Sequence, residues 1–259
     1  MHLWTALTHD QRISDLQAIL SMDEQKRARR FRRASDSRQF VFAHALVRLA
    51  LSHHLAVPAS DWHFDRDSKG KPVIAAPEMF SAVEFSLSHT NGLVACLITL
   101  SAEAAVDVEK VKYTHDLALV AHQIFSPTEQ RTLSVLSAKD WTERFFDYWT
   151  LKEAVAKARG LGLALPLSDI SFELDAGNWI RADFACAADD DPSVWIFWRN
   201  HPQSQHAMSL AVKRDFDDEC EIIQRLVKFD GARIIAVTQS RHIEPGKRAT
   251  SQLRRRVTA

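Results

Sequence analysis

Four short stretches of this chain carry side chains that could do chemistry together. The first is Trp149-Thr150-Leu151-Lys152-Glu153-Ala154-Val155-Ala156-Lys157, where Phe145, Phe146, Trp149, Val155 and Ala156 supply the apolar faces of a buried helix. Glu153 and Lys157 stand one helical turn apart on one face. A Glu-x-x-x-Lys pair is ordinarily a solvated ion pair, but the flanking aromatics argue for a site that handles charge, such as a metal and a phosphate. The second stretch is Val106-Asp107-Val108-Glu109. Strand residues two apart point the same way, so the two carboxylates converge. They repel unless a cation lies between them, and Mg²⁺ suits such oxygen ligands together with substrate phosphate and water. An exposed edge strand is the competing reading of those two residues. The third is Lys69-Gly70-Lys71-Pro72 with Arg66 before it, by itself a basic turn. The fourth is Phe85-Ser86-Leu87-Ser88-His89-Thr90, by itself a polar strand end, whose serine and histidine could donate to phosphate oxygens.

The elements that must position these residues follow from periodicity and turn chemistry. Residues 1–7 alternate as a first strand. Ser21-Met22-Asp23-Glu24 is a capping box that opens a short basic helix, and Asp36 starts a longer one through Phe40, Ala43, Leu46, Val47 and Ala50. Strand patterns follow at 62–65, 72–75, 83–88 and 93–100, the last two joined by the hairpin signal Asn91-Gly92. A strand at 105–108 leads into a second pass of the same plan. Ser126-Pro127-Thr128-Glu129 is again a capping box, and Pro166-Leu167-Ser168-Asp169-Ile170-Ser171-Phe172 echoes Pro58-Ala59-Ser60-Asp61-Trp62-His63-Phe64. A long helix separates the two members in each pass. Strands at 169–174, 179–184, 194–199 and 206–212 complete the second. The chain thus reads as α+β, an internal duplication of two α+β halves about a pseudo-twofold, divided at 1–104 and 105–213, with a ligand cleft between the halves. In the extension 214–259, a helix is expected over 219–227, a short strand over 233–237, and a disordered basic tail from Gln239.

Composition narrows the function. Lys and Arg balance Asp and Glu at 33 each, so no global field favours nucleic acid or a membrane surface. Cys96, Cys186 and Cys220 have neither metal-ligand spacing nor the regularity of a disulfide framework, which points to a reducing, cytoplasmic setting. No apolar run reaches the length of a membrane span, and the first residues lack the pattern of a secretory signal. A monomer is expected.

Taken in chain order, Gly70-Lys71-Pro72, Ser86-Leu87-Ser88-His89, Val106-Asp107-Val108-Glu109, then Trp149-Thr150-Leu151-Lys152-Glu153-Ala154 with Lys157, the four stretches resemble the Sfp-type 4′-phosphopantetheinyl transferases, and Gly160-x-Gly162-x-x-Leu165-Pro166-Leu167 extends the likeness. It covers about residues 20–212 and departs in one small way: Ala105 stands where the family often has glycine. The resemblance implies a two-lobed fold, coenzyme A and Mg²⁺. It implies transfer of the 4′-phosphopantetheine arm to a serine of an acyl or peptidyl carrier protein, releasing adenosine 3′,5′-bisphosphate. By the same resemblance Asp107, Glu109 and Glu153 would hold Mg²⁺. Ser88, His89 and Lys157 would contact the pyrophosphate. Lys71-Pro72, Arg66 and Arg27 would surround the 3′-phosphate and adenine. A carboxylate beside the metal can take the serine proton, Glu153 first, with Glu109 or a metal-bound water as the alternatives. The family's carrier docks near 112–125, where Leu117, Val120, Ile124 and Phe125 could offer an apolar face or simply be core. Two other functions share the ligand set: a non-catalytic coenzyme A or carrier-binding module, and a Mg²⁺-dependent phosphohydrolase.

Overall fold

The strand Leu93–Thr99 is buried at every residue. Such an uninterrupted apolar run is what a strand needs when a helix covers one face and a second sheet the other. The structure is a computed structural model, and it describes residues 1–8, 13–100, 103–175, 179–185, 190–214 and 220–244. In chain order β1 (His2–Leu7) is followed by α1 (Ser14–Ala18), α2 (Met22–Arg29) and α3 (Ala34–His54). The hairpin β2 (His63–Arg66) and β3 (Pro72–Ala76) comes next, then β4 (Glu84–Thr90) and the buried strand, β5. The second half opens with β6 (Ala104–Lys110), α4 (Leu117–Ile124), α5 (Pro127–Ser134) and α6 (Ala138–Arg159). Its hairpin is β7 (Ile170–Leu174) with β8 (Ile180–Phe184), and β9 (Trp195–Gln203) and β10 (His206–Lys213) close it. Among the described residues no helix is long and apolar enough to cross a membrane.

Alternation along the strands divides the core into three layers. Trp4, Ala6, Phe85, Cys96 and Ile98 pack with α3, while Ala105, Phe197 and Ala211 pack with α6. The intervening positions, including Leu3, Leu97, Val106, Val108 and Leu210, fill the space between the sheets. The order is therefore helix, sheet, sheet, helix. Within it β1-β5-β4 of the first half matches β6-β10-β9 of the second.

The duplication reaches single hydrogen bonds. Both expected capping boxes form, at Ser21 with Glu24 and at Ser126 with Glu129. Each box glutamate also holds a cation from the long helix of its half. Arg48 Nη2 lies 2.7 Å from Glu24 Oε2, and Lys152 Nζ lies 2.8 Å from Glu129 Oε2. Arg48 donates onward to Ala59 O and Trp62 O, and Lys152 to Leu167 O and Ile170 O. These acceptors lie in the two echoing Pro-x-Ser-Asp segments. A buried ion pair persists only when its remaining donors and lone pairs are satisfied, and here repeated carbonyls satisfy them. Lys152, grouped by sequence with the charge-handling residues, is thus a fully buried structural bridge.

The extension departs from expectation. Residues 220–227 form no helix: β11 (Cys220–Asp230) runs parallel to β1, and β12 (Arg233–Glu244) returns beside it at the sheet edge. Ile222, Ile223, Leu226 and Val227 mimic helical spacing because β11 is covered on both faces. Ile222 faces the layer between the sheets and Val227 the layer of α3, so apolar residues on both sides of a regularly alternating strand read like a helix. The strand expected at 233–237 is present and continues past Gln239 to Glu244; the rest of the expected tail lies outside the described residues.

β1, the end of α3 and β11 meet in a cluster of rings. His2 and His54 have centroids 4.0 Å apart, Trp4 lies against His53, and the Arg225 guanidinium sits 4.8 Å over Trp4. Burial first, then neighbouring positive charge, pushes His2 and His54 down to about 4. A histidine held neutral by the fold contributes fully above its ordinary value of 6.5, and that contribution is lost as pH falls towards 4. The melting temperature should therefore drop between pH 7 and pH 5, and the drop should be smaller in His54→Gln. An unchanged slope in that variant would place the acid lability elsewhere.

Candidate active site

β4 and β6 are facing edges of the two sheets, and no ladder joins them among the described residues. Side chains make the seam instead. Ser86, Ser88 and Thr90 share one side of β4, and their hydroxyl oxygens accept from the backbone N–H groups of Val106, Val108 and Lys110 at 3.2, 3.2 and 3.1 Å. Buried N–H groups require acceptors, and alternate hydroxyls supply them at strand spacing.

On β6, Val106 and Val108 face the opposite sheet, which turns Asp107 and Glu109 towards α6. Ser88 Oγ donates to Asp107 Oδ1 at 2.9 Å, and Thr90 Oγ1 donates to Glu109 Oε2 at 3.3 Å. From α6, Lys157 Nζ reaches Asp107 Oδ1 at 2.5 Å and Ser88 Oγ at 3.1 Å. Asp107 is 3% exposed, and its other oxygen, Oδ2, is buried with no hydrogen-bond partner. Burial, then the charge of Asp107, pushes Glu109 up to about 7. Glu153 is raised for the same two reasons, with Lys157 opposing. The strand and the helix thus bring three carboxylates and one ammonium to the seam, where added positive charge would be stabilised.

The basic residues line two pockets that share Pro72. The smaller, about 250 Å³, lies between Lys69-Gly70-Lys71 on the β2–β3 turn and Lys157 and Gly160 on α6. Gly160 ends α6 with φ +66, and a Cβ there would stand 3.0 Å from Lys69 Cδ, so glycine permits both the helix stop and the close approach of the turn. The larger, about 880 Å³, is walled by Arg27, His44, Arg48, His63 and Arg66. Lys71 Nζ pairs with Glu84 at 2.7 Å, Arg66 Nη1 donates to Gly70 O at 2.6 Å, and Arg27 lies 5.3 Å over Phe40.

Asp107, Glu109, Glu153, Lys157 and Ser88 therefore come together, and Arg27, Arg66, Lys71 and Pro72 border the adjoining pockets. Ser88 and His89 diverge: adjacent strand residues face opposite ways, so Ser88 is buried in the seam while His89 is exposed. Sequence reasoning passed over three partners. Glu84 neutralises Lys71, His44 Nδ1 lies 2.7 Å from Glu24 in the larger pocket, and Thr90 holds Glu109. The spacing of Ser86, Ser88 and Thr90 carried the signal for the last of these.

Both halves of the chain are similar to known proteins. Residues 104–211 match the 4′-phosphopantetheinyl transferase superfamily, and residues 3–101 match the 4′-phosphopantetheinyl transferase N-terminal family. The 4′-phosphopantetheinyl transferase HetI of Nostoc sp. is 35% identical over 167 residues, which cover 63% of this chain and 70% of that protein. The 4′-phosphopantetheinyl transferase Sfp of Bacillus subtilis is 31% identical over 61% of this chain and 67% of its own. The mouse L-aminoadipate-semialdehyde dehydrogenase-phosphopantetheinyl transferase is 21% identical over 78% of this chain and 73% of its own. β11 and β12 lie beyond both matched segments. With the duplicated halves and the charged seam already in place, the identity and coverage of these relatives decide the matter: the chain belongs to the 4′-phosphopantetheinyl transferase family.

Proposed function

We propose that this enzyme moves the 4′-phosphopantetheine arm of coenzyme A to a serine hydroxyl of an apo acyl or peptidyl carrier protein, using the seam between β4 and β6. The observation that carries the reading is the convergence of Asp107, Glu109, Glu153 and Lys157 there, with one buried oxygen of Asp107 unpartnered. Among the described residues, no three His, Cys, Asp or Glu side chains close a metal cage by themselves. Mg²⁺ usually keeps waters and substrate phosphate beside its carboxylates, so bound coenzyme A would have to complete its coordination here. Asp107, Glu109 and Glu153 would hold it, and it would offset charge on the phosphoryl oxygens.

The chain's own groups account for the rest. The carrier serine oxygen bonds to the phosphorus that bears the pantetheine arm, and the bond from that phosphorus to the departing adenosine bisphosphate oxygen breaks. Lys157, reaching into the seam from α6, would meet the pyrophosphate with a charge-assisted contact, and Ser88 lies beside it. Glu153 would take the serine proton. Its raised proton affinity brings it nearer neutrality, where a general base works best. Lys71, Arg66 and Arg27 would receive the 3′-phosphate and adenine in the two pockets, and His89 would meet phosphate from the exposed side of β4. A phosphate at Lys71 must compete with Glu84.

The test is intact mass. Incubation with coenzyme A, Mg²⁺ and an apo carrier is expected to add one phosphopantetheine to the carrier. Adenosine bisphosphate released with no gain on any carrier would select a phosphohydrolase, and coenzyme A bound without turnover would select a binding module. Either outcome overturns the proposal.

A further inference from the structure

We propose that Thr90 is a positioning residue for Glu109. Two of the three seam hydroxyls meet β6 at two points. Ser88 accepts from Val108 N–H and donates to Asp107, the residue before it. Thr90 repeats this one step along, accepting from Lys110 N–H and donating to Glu109. Ser86 accepts from Val106 N–H, but the residue before Val106 is Ala105, which has no carboxylate to hold. The seam therefore contains two hydroxyls that join the halves and aim a carboxylate, and one that joins the halves alone.

The chemistry of a hydroxyl makes this aim directional. With a lone pair engaged by the fixed N–H of Lys110, the remaining O–H of Thr90 has a narrow range of directions, and the β-branch limits the side-chain rotamers. Glu109 needs such a guide more than Asp107 does. Its side chain is longer, and Asp107 has Lys157 as well as Ser88. Among the described residues, Thr90 is the hydrogen-bond partner of the Glu109 carboxylate. The hydroxyl thus links the packing of the two halves to the orientation of one carboxylate. Groups that orient metal-binding carboxylates typically change affinity 10–100-fold when removed.

The inference rests on the proposed role of Glu109 in holding Mg²⁺, and its test keeps the two apart. Mg²⁺ is titrated calorimetrically into the full chain with coenzyme A and no carrier, and melting temperatures are taken beside it. Saturable Mg²⁺ binding by the unaltered chain, lost in Glu109→Gln, establishes the parent reading; its absence would overturn that reading and this inference together. Given that binding, Thr90→Val is expected to weaken Mg²⁺ by about tenfold. Thr90→Ser should restore it, because serine keeps the hydroxyl. Thr90→Ala lacks the hydroxyl without added branching, and gives the same reading if valine does not fold. Ser86→Ala removes a seam contact with no carboxylate behind it, so its melting temperature should fall with Mg²⁺ affinity unchanged. Unaltered Mg²⁺ affinity in Thr90→Val or Thr90→Ala would overturn the proposal while leaving the role of Glu109 intact. Equal weakening in Ser86→Ala, or no rescue by Thr90→Ser, would overturn it too, by showing a purely structural seam.

Discussion

A chain ended after Lys213 is expected to yield no soluble folded enzyme, whereas one ended after Glu244 keeps both melting temperature and turnover. β11 pairs with β1 from His2 opposite Ile223 to Ala6 opposite Val227. Ile222 and Val227 are buried in two different layers, the Met1 amino group donates to Glu221 O, and Arg225 covers Trp4. Exposing an aliphatic side chain of this kind costs about 1.5–3 kcal/mol. A lost ladder hydrogen bond costs about 0.5–1.5 kcal/mol. Two such side chains and a strand of ladder bonds already rival the total stability of a domain, about 5–15 kcal/mol. The cut would also bare the edge of β1 for pairing with other chains. Cutting after Glu244 spares every described strand. A soluble 1–213 protein melting within a few degrees of the full chain would show that β11 and β12 are dispensable.

What the sequence made legible, and what it hid, divides along the range of the interactions. Capping boxes are local, and Ser21 with Glu24 and Ser126 with Glu129 were readable for that reason. Asp107 with Glu109, and Glu153 with Lys157, were readable as same-face pairs because strand and helix periods fix direction. That the strand pair faces the helix pair depends on which sheet layer each residue enters, a tertiary fact. Family resemblance supplied it before the structure did. β11 was hidden because it buries apolar residues on both faces, Ile222 between the sheets and Val227 against the α3 layer, so no simple alternation shows. One local clue was present. Asp230-Gly231 is a hairpin signal, and Gly231 has φ +56 in the turn joining β11 to β12. The role of Lys152 was not legible. Its neighbours in sequence are site residues, yet its contacts are Glu129 and two carbonyls of the following segment, visible only once the capping box folds beneath α6.

Glu153→Gln should lower transfer by about 10²–10⁴-fold, the usual share of a general base, and excess Mg²⁺ should not repair it. The substitution keeps size and a metal-capable oxygen but removes charge and basicity. Two roles for Glu153 therefore separate. A carboxylate needed only to hold metal would give a variant with weaker Mg²⁺ binding, and a high enough Mg²⁺ concentration would return full turnover. A carboxylate that accepts the serine proton leaves a deficit at saturating Mg²⁺, coenzyme A and carrier. Its surroundings favour the second outcome. Burial and the charge of Asp107 raise its proton affinity, while Lys157, one turn along α6, keeps it from rising further. Asp107 cannot take over, because one of its oxygens already serves Lys157 and Ser88 and it is 3% exposed. Glu109 can, since it is half-buried and pushed up to about 7. Turnover should be followed by carrier mass as Mg²⁺ rises, with coenzyme A binding measured separately to show that the pocket is intact. Full rescue by metal would move the base assignment to Glu109 or a bound water. Turnover equal to the unaltered enzyme in metal-free buffer would remove Mg²⁺ from the proposal altogether.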